Sequence, residues 1–346
     1  MAYQVKAPVN KYRKVVKISF KISIIGCGSI ANAMHGPAYL KYARENKEAE
    51  LSACCDIDIR RAEAFKRKFG FKNAYTHMDE MLDKEKPDAV SLISPVQLTA
   101  ELAGKILERG IPLLLEKPPA RTKGELLILM EKARGVPHRV AFNRRYSPLM
   151  RELKKQLKNM DEKIQSLQYD MFRINRLDED FSTTAIHAID AVRFITGSDY
   201  RSIHFTYKEH PELRGRITDI HMECSMEGEA EVNLNICPVT GINLERATVN
   251  LYNNTFFMDF MGGPHYPVGR LSHIRMNEIV SELTCNNMSD GPDAFEREGF
   301  YYENKSFFDD IIAGKTPSGN LESAMQSVEV ADCIRNRISE YRANKG

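Results

Sequence analysis

The chain has 346 residues, 42% apolar and 28% charged, the make-up of an ordinary globular protein long enough for two domains. Its 49 basic and 47 acidic side chains leave a formal charge of +2, which gives no reason to expect a nucleic-acid partner, and no apolar run approaches a membrane span. Seven cysteines with no C-x-x-C pair signal neither zinc nor thioredoxin chemistry and suit a reduced, cytoplasmic protein.

Residues 1–17 carry Lys11, Arg13, Lys14 and Lys17 without an apolar h-region, and read as a solvated leader. From there strands and helices alternate. Lys21–Ile25 is a buried strand, followed by a helix from about Ser29. Leu51–Cys55 is a second strand that ends at Asp56. Asp58–Phe69 has helical spacing, with Ala62, Phe65 and Phe69 on one side and Gly70 as a stop. His77–Leu82 is a short helix, Asp88–Ile93 a strand, and a helix then runs to Arg109. Ile111–Leu115 is a strand, Lys123–Arg134 a helix, and Arg139–Phe142 the closing strand. This rhythm predicts βαβ units in a doubly wound, mostly parallel sheet over residues 18–145.

After Asn143 the rhythm changes. Ser147–Lys158 is an amphipathic helix, Gln165–Phe172 a strand and Thr184–Ile195 a helix. Alternating runs between Ile203 and Phe260 predict consecutive antiparallel strands. Helices over Phe295–Ala313 and Leu321–Tyr341 finish the chain, the second with Asn320 as N-cap. Residues 146–346 thus read as an α+β domain with a large, mostly antiparallel sheet.

Gly26-Cys27-Gly28-Ser29-Ile30-Ala31 directly follows the first strand and fits G-x-G-x-x-G/A in its alanine form. The first glycine allows a tight turn, the second lets a pyrophosphate approach the backbone, and the small last residue lets helix and strand pack closely. Free N–H groups at the helix start favour phosphate. Asp56, at the end of the second strand, is placed to accept hydrogen bonds from ribose hydroxyls and to repel a 2′-phosphate, which favours NAD over NADP; Arg60 and Arg61, just beyond, are the residues that would argue for NADP. Gly26, Gly28, Ser29, Ile30, Asp56 and Arg61 are therefore candidate cofactor residues.

Glu116-Lys117-Pro118 closes the apolar run Ile111–Leu115. In an open α/β sheet, ligands bind outside the carboxyl ends of the strands, so Lys117 stands where chemistry next to a nicotinamide is expected. The plainer alternative is a charge that marks where the strand leaves the core.

These pieces, together with Ser94-Pro95, Phe142-Asn143-Arg144-Arg145-Tyr146-Ser147-Pro148, His187-Ala188-Ile189-Asp190 and Tyr302-Glu303-Asn304-Lys305-Ser306-Phe307-Phe308, resemble the Gfo/Idh/MocA oxidoreductases, in order and spacing, from about Lys21 to the C-terminus. The resemblance implies an N-terminal Rossmann domain, a C-terminal α+β domain for substrate binding and oligomerisation, and NAD(P)-dependent oxidation of a carbinol of a sugar, polyol, cyclitol or glycoside. It implies that Ser94, Pro95, Glu116, Lys117 and Asn143 join the cofactor residues, and that Lys117, Thr183 and His187 meet the substrate; Arg145 and Tyr146 either line the same pocket or pack at the domain boundary. A dimer or tetramer is implied by analogy, and no metal. Two positions depart from the family's pattern: Thr99 and Thr183 stand where a histidine and an aspartate are usual.

Lys117 and His187 are the candidate catalytic pair. His187 titrates near neutral pH and suits a general base, with Lys117 orienting the hydroxyl, although the exchanged roles also fit. Asp190 either orients His187 or stabilises its helix. The remaining histidines, His35 included, read as ordinary. Two other functions fit the sequence: a lyase or glycosidase that recycles NAD through transient oxidation, and a non-enzymatic sensor of NAD or sugar.

Overall fold

The computed structural model describes residues 19–160, 162–178, 180–213, 216–260, 269–285, 287–288 and 293–343. The basic leader at 1–17 and His265 lie outside the described residues. In chain order the first half contains β1 (Phe20–Ile25), a π-helical turn (Ala31–His35) that runs into α1 (Gly36–Glu45), β2 (Ala49–Cys55), α2 (Ile59–Phe69), β3 (Asn73–Tyr75) and α3 (Met78–Glu85). It continues with β4 (Ala89–Leu92), α4 (Val96–Glu108), β5 (Leu113–Glu116), α5 (Lys123–Lys132) and β6 (His138–Ala141).

The strands form a six-stranded sheet in the order β3-β2-β1-β4-β5-β6, every pair parallel. Ile22, Ile24, Val90, Leu92, Leu113 and Leu115 are fully buried, as expected for parallel strands covered on both faces. Strand order reverses between β1 and β4, which opens a crevice at their carboxyl ends. α2 starts where the Asp58 side chain accepts from Arg60 N–H at 3.0 Å, and stops at Gly70 in the left-handed region.

The regular helix expected from Ser29 begins instead with one wide turn, in which Gly36 N–H reaches back to the Ala31 carbonyl. Pro37, at the start of α1, has no N–H to give the ladder, and the chain takes up the gap as a π-turn. β3 was not foreseen; three residues are too short to show a period.

The second half opens with a 3₁₀ turn (Asn143–Tyr146) and α6 (Pro148–Met160), then β7 (Ser166–Phe172), α7 (Ser182–Thr196), β8 (Tyr200–Glu209), β9 (Thr218–Met226), β10 (Glu231–Cys237) and β11 (Leu244–Leu251). It ends with β12 (Asn254–Asp259), β13 (Arg270–Arg275), β14 (Glu278–Thr284), α8 (Ala294–Arg297), α9 (Phe300–Ile312), α10 (Leu321–Arg335) and β15 (Glu340–Arg342). Nine strands pair in the order β14-β13-β12-β11-β7-β10-β9-β8-β15, antiparallel except for β7 with β10. Alternate residues such as Leu167, Tyr169 and Met171 face the core, which they share with Ile186, Ile189 and Val192 of α7.

Two predicted helices are shorter than expected. The span Phe295–Ala313 breaks at Gly299, whose φ is +91°; a Cβ there would lie 2.2 Å from the Asn143 carbonyl oxygen, so the close approach requires glycine. The span Leu321–Tyr341 stops at Arg335; Arg337 turns the chain with positive φ, and the last residues add β15 to the edge at β8. Asn320 caps α10, accepting from Ser323 N–H at 3.1 Å.

α9 and α10 return to the first sheet. Phe307 and Phe308 pack into the cluster formed by Tyr39, Tyr42, Ile22 and Ile24. Val140 N–H donates to the Gly319 carbonyl, and the fully buried Arg139 reaches the Ser318 and Glu303 carbonyls and Asp310. These ties hold the nine-stranded sheet and α7 over the carboxyl ends of β1, β4 and β5.

Candidate active site

One wall of the crevice is backbone. Gly26 has φ +95°, and a Cβ on it would sit 1.8 Å from the Ile93 carbonyl oxygen, so no other residue fits. At Gly28 a Cβ would meet nothing within 4 Å: the missing side chain leaves open space above the turn. Ser29 and Ile30 are exposed on this rim. Asp56 is nearly buried; its Oδ2 accepts from Cys27 N–H at 2.9 Å and its Oδ1 from Asp58 N–H at 3.0 Å. A carboxylate has about four acceptor sites, so capacity remains for two hydroxyls. Arg60 is held by Asp58 at 3.0 Å, and Arg61 is exposed on α2. An open glycine cradle beside a carboxylate with spare lone pairs fits a dinucleotide.

The other wall is side chains. Lys117 leaves the end of β5 and donates from Nζ to the Thr183 carbonyl on α7 at 3.1 Å. Burial lowers its pKa to about 8; Glu116 opposes that shift, and Arg144 and Arg176 add to it. His187, one turn along α7, is buried, and its Nδ1 has no partner among the described residues. Burial first, then the charges of Lys117, Arg144 and Arg173, hold the imidazole well below its ordinary pKa, so it is neutral at pH 7 and able to accept a proton.

Glu116 is buttressed from behind. Its Oε1 lies 2.8 Å from His35 Nε2, and the Asn304 amide donates to His35 Nδ1 at 3.2 Å. The amide therefore fixes the tautomer, with the proton on Nε2 facing the carboxylate. Burial alone would raise the Glu116 pKa, but the bond from His35 and the charge of Lys117 hold it below the usual range. The neighbouring Glu303 on α9 is fully buried with neither oxygen partnered among the described residues, and burial followed by the charge of Glu116 pushes its carboxyl far up.

Beneath the cleft, Glu245 of β11 accepts from Arg144 at 2.8 and 3.1 Å, from Arg173 and from Tyr169 at 3.0 Å. All of Glu245 is buried. Burial would raise its pKa, yet the two guanidinium groups bring it down to about 2. Such a triad demands each of its partners.

The cleft these walls enclose has a volume of about 390 Å³ and is lined by Ile30, Ser94, Glu116, Lys117 and His187 among the residues singled out from sequence. A larger groove of about 980 Å³ lies over α1, α8 and α9; it contains Tyr301, Tyr302 and Lys305 but none of the candidate cofactor or catalytic residues. Tyr301 is bound to Glu45 there, away from the cleft.

Of the residues expected from the later motifs, Arg145, Tyr146, Asn143, Thr183 and Pro95 do not line the cleft. Arg145 is locked to Asp190 by two hydrogen bonds at 2.5 and 2.7 Å, which also gives Asp190 a structural partner other than His187. Tyr146 lies under the Arg139 guanidinium, near Gly319. Asn143 is buried and donates its amide to the Glu298 carbonyl at 2.8 Å. Thr183 offers its carbonyl to Lys117 while its hydroxyl turns to the Asp180 carbonyl, and Thr184 lines the cleft instead. Pro95 starts α4 on the exposed side, and Thr99 bonds Ser94 through its hydroxyl at 2.9 Å.

Arg144, Arg173, Arg176, Glu298 and His35 were missed. Of the pair Arg144-Arg145, the 3₁₀ turn sends the first toward the cleft and the second to Asp190. Glu245 carried a usable signal: it shares the buried face of β11 with Ala247, Val249 and Leu251, and a carboxylate on an apolar face needs a cationic partner. His35 sits in the wide turn and was read as ordinary; nothing local announces its contact with Glu116, 81 residues away.

Residues 20–143 match the GFO_IDH_MocA family model, described as an oxidoreductase family with an NAD-binding Rossmann fold. Over these residues the chain carries the NAD-binding domain of the Gfo/Idh/MocA oxidoreductases. Among curated proteins the chain is similar to D-glucoside 3-dehydrogenase of Escherichia coli (strain K12), at 30% identity over 40% of this chain and 39% of that protein. It is also similar to inositol 2-dehydrogenase 1 of Paenarthrobacter aurescens (strain TC1), at 25% identity over 54% of this chain and 56% of that protein. The chain thus matches between about two fifths and three fifths of these relatives' lengths. A solved structure, levoglucosan dehydrogenase in complex with NADH, superposes with a TM-score of 0.80 at 16% identity, covering 95% of this chain and 100% of that one, which establishes a shared fold.

Proposed function

We propose that this protein is an NAD-dependent dehydrogenase that moves a hydride between a carbinol carbon of a sugar, polyol or cyclitol and the nicotinamide. The observation that carries the reading is the meeting of Lys117 and His187, from opposite halves of the chain, in one cleft beside the glycine turn. The named activities of the D-glucoside and inositol dehydrogenases support the substrate class.

When bound, the nicotinamide takes up or returns the hydride. Lys117 holds the substrate hydroxyl through Nζ and stabilises the developing alkoxide. His187, kept neutral by burial and then by its cationic surroundings, accepts the hydroxyl proton on a ring nitrogen. Glu116, fixed by His35, sets the position of the Lys117 backbone and tempers the lysine's charge. The free acceptor sites of Asp56 favour ribose hydroxyls over a 2′-phosphate, hence NAD over NADP.

A screen of sugars, inositols and glycosides for absorbance of the reduced cofactor, run in parallel with NAD and NADP, tests this. Reduction of NAD by one such alcohol, lost in both Lys117→Ala and His187→Ala, is the expected result. Full activity of both variants would remove the assignment.

A further inference from the structure

The charged side chains that face the substrate end are mostly cationic. Four cations line the cleft, Lys117, Arg144, Arg173 and Arg176, against two wall carboxylates, Glu116 and Glu298; the carboxylates of Glu245 and Asp178 stand outside the lining. Glu116 is engaged by His35. Arg144 and Arg173 share one carboxylate, Glu245, so this buried group carries an excess positive charge. Glu298 offsets it weakly: it lies 3.9 Å from Arg144, and burial pushes its carboxyl upward, toward the neutral form. Arg176 is anchored at Nε by Asp178 at 2.7 Å and at Nη2 by the Thr184 hydroxyl at 3.3 Å, which leaves Nη1 without a partner among the described residues. Arg144 spends Nε and Nη2 on Glu245, and its Nη1 has only the distant Glu298.

We propose that the substrate is an acidic sugar, and that its carboxylate or phosphate lies against Arg144 and Arg176 while its reacting hydroxyl meets Lys117 and His187. Nη1 of each arginine lacks a close acceptor among the described residues, and an anion on the ligand supplies a charge-assisted one that a neutral sugar does not. Guanidinium forks match the planar oxygen pairs of carboxylates and phosphates. The two arginines reach the cleft from different elements, Arg144 from the 3₁₀ turn and Arg176 from the β7–α7 loop, so they bracket the ligand from two sides. The inference rests on the hydride-transfer reading for the placement of the sugar hydroxyl.

The test uses the full chain saturated with NADH. Binding of D-glucose, D-galactose and D-mannose is compared by cofactor fluorescence with that of the matching hexuronates and hexose 6-phosphates, and NADH formation from NAD is followed separately with the same sugars. At least one acidic sugar is expected to bind about ten-fold or more tightly than its neutral parent, the margin shrinking with salt and collapsing in Arg176→Gln. The arms separate carboxylate from phosphate. Arg176 lies half-exposed at the edge of the Glu245 group, so this variant leaves that group intact; Arg176→Lys, which keeps the charge without the fork, gives a second test and is expected to restore part of the margin. Equal or tighter binding of the neutral parents, no binding of any acidic sugar, or a margin untouched by Arg176→Gln overturns the proposal. Tight acidic-sugar binding without NADH formation upholds the anion site and removes the dehydrogenase reading. Oxidation of neutral sugars with no acidic-sugar margin does the reverse.

Discussion

The two walls of the cleft are built by different means. The cofactor wall is local: only 29 residues separate Cys27 N–H from the Asp56 carboxylate that receives it, and its shape comes from backbone that two glycines leave bare. The substrate wall is assembled over distance: 101 residues separate Arg144 from Glu245, and 66 separate Lys117 from the carbonyl it binds. Backbone geometry survives most side-chain changes, whereas a wall of buried charges fails when one partner leaves. Damage to the substrate wall is therefore expected to be large and cooperative, and damage to the cofactor wall graded.

The largest effect is expected from Glu245→Gln, which leaves Arg144 and Arg173 as uncompensated buried charges. Urea unfolding is expected to show a loss of about 3–5 kcal/mol. A loss below about 1 kcal/mol would place the two guanidinium groups in water and undo the contrast. Next come Lys117→Ala and His187→Ala, each expected to lower turnover by about 10²–10⁴-fold, with NAD affinity within a few-fold of wild type in a fluorescence titration. If either change abolishes NAD binding, the walls are not separable.

A pH experiment isolates Lys117. The side chain holds its proton less tightly folded, at about 8, than unfolded, at 10.5. Between those values the unfolded chain binds more protons, so this lysine makes stability rise with pH across the window, and its charge destabilises the fold below pH 8. Lys117→Met is expected to be more stable than wild type at pH 7 and to lose that advantage by pH 10, read as the difference between two urea series. An advantage that is constant with pH would mean the ammonium is well solvated. The smallest effect belongs to the cofactor wall: Asp56→Asn is expected to weaken NAD about ten-fold while narrowing the preference over NADP, as measured by titration with both nucleotides.

The difference between the walls also explains what the sequence made legible. The need for glycine at 26 is legible locally through its positive φ in one turn, with the strand–turn–helix context beside it, although its approach to Ile93 comes from the pairing of β1 with β4. The parallel sheet was legible because buried strands appear as apolar runs between helical patterns. Lys117 and His187 were found through motifs. Arg173 and Arg176 lie in a loop with no period, and the role of Arg173 depends on where β11 brings Glu245. Arg145 was chosen over Arg144 because sequence adjacency does not say which of two neighbours in a 3₁₀ turn faces inward. The π-turn at Ala31–His35 depended on Pro37, whose effect on the preceding turn was visible but unused.

The most direct test is the structure of a ternary complex with NADH and the sugar selected by the oxidation screen. A single hydroxyl oxygen is expected within about 3.2 Å of both Lys117 Nζ and a ring nitrogen of His187, with the nicotinamide against its carbon. Two nitrogens that address different ligand atoms, or a nicotinamide outside the crevice between β1, β4 and β5, would contradict it.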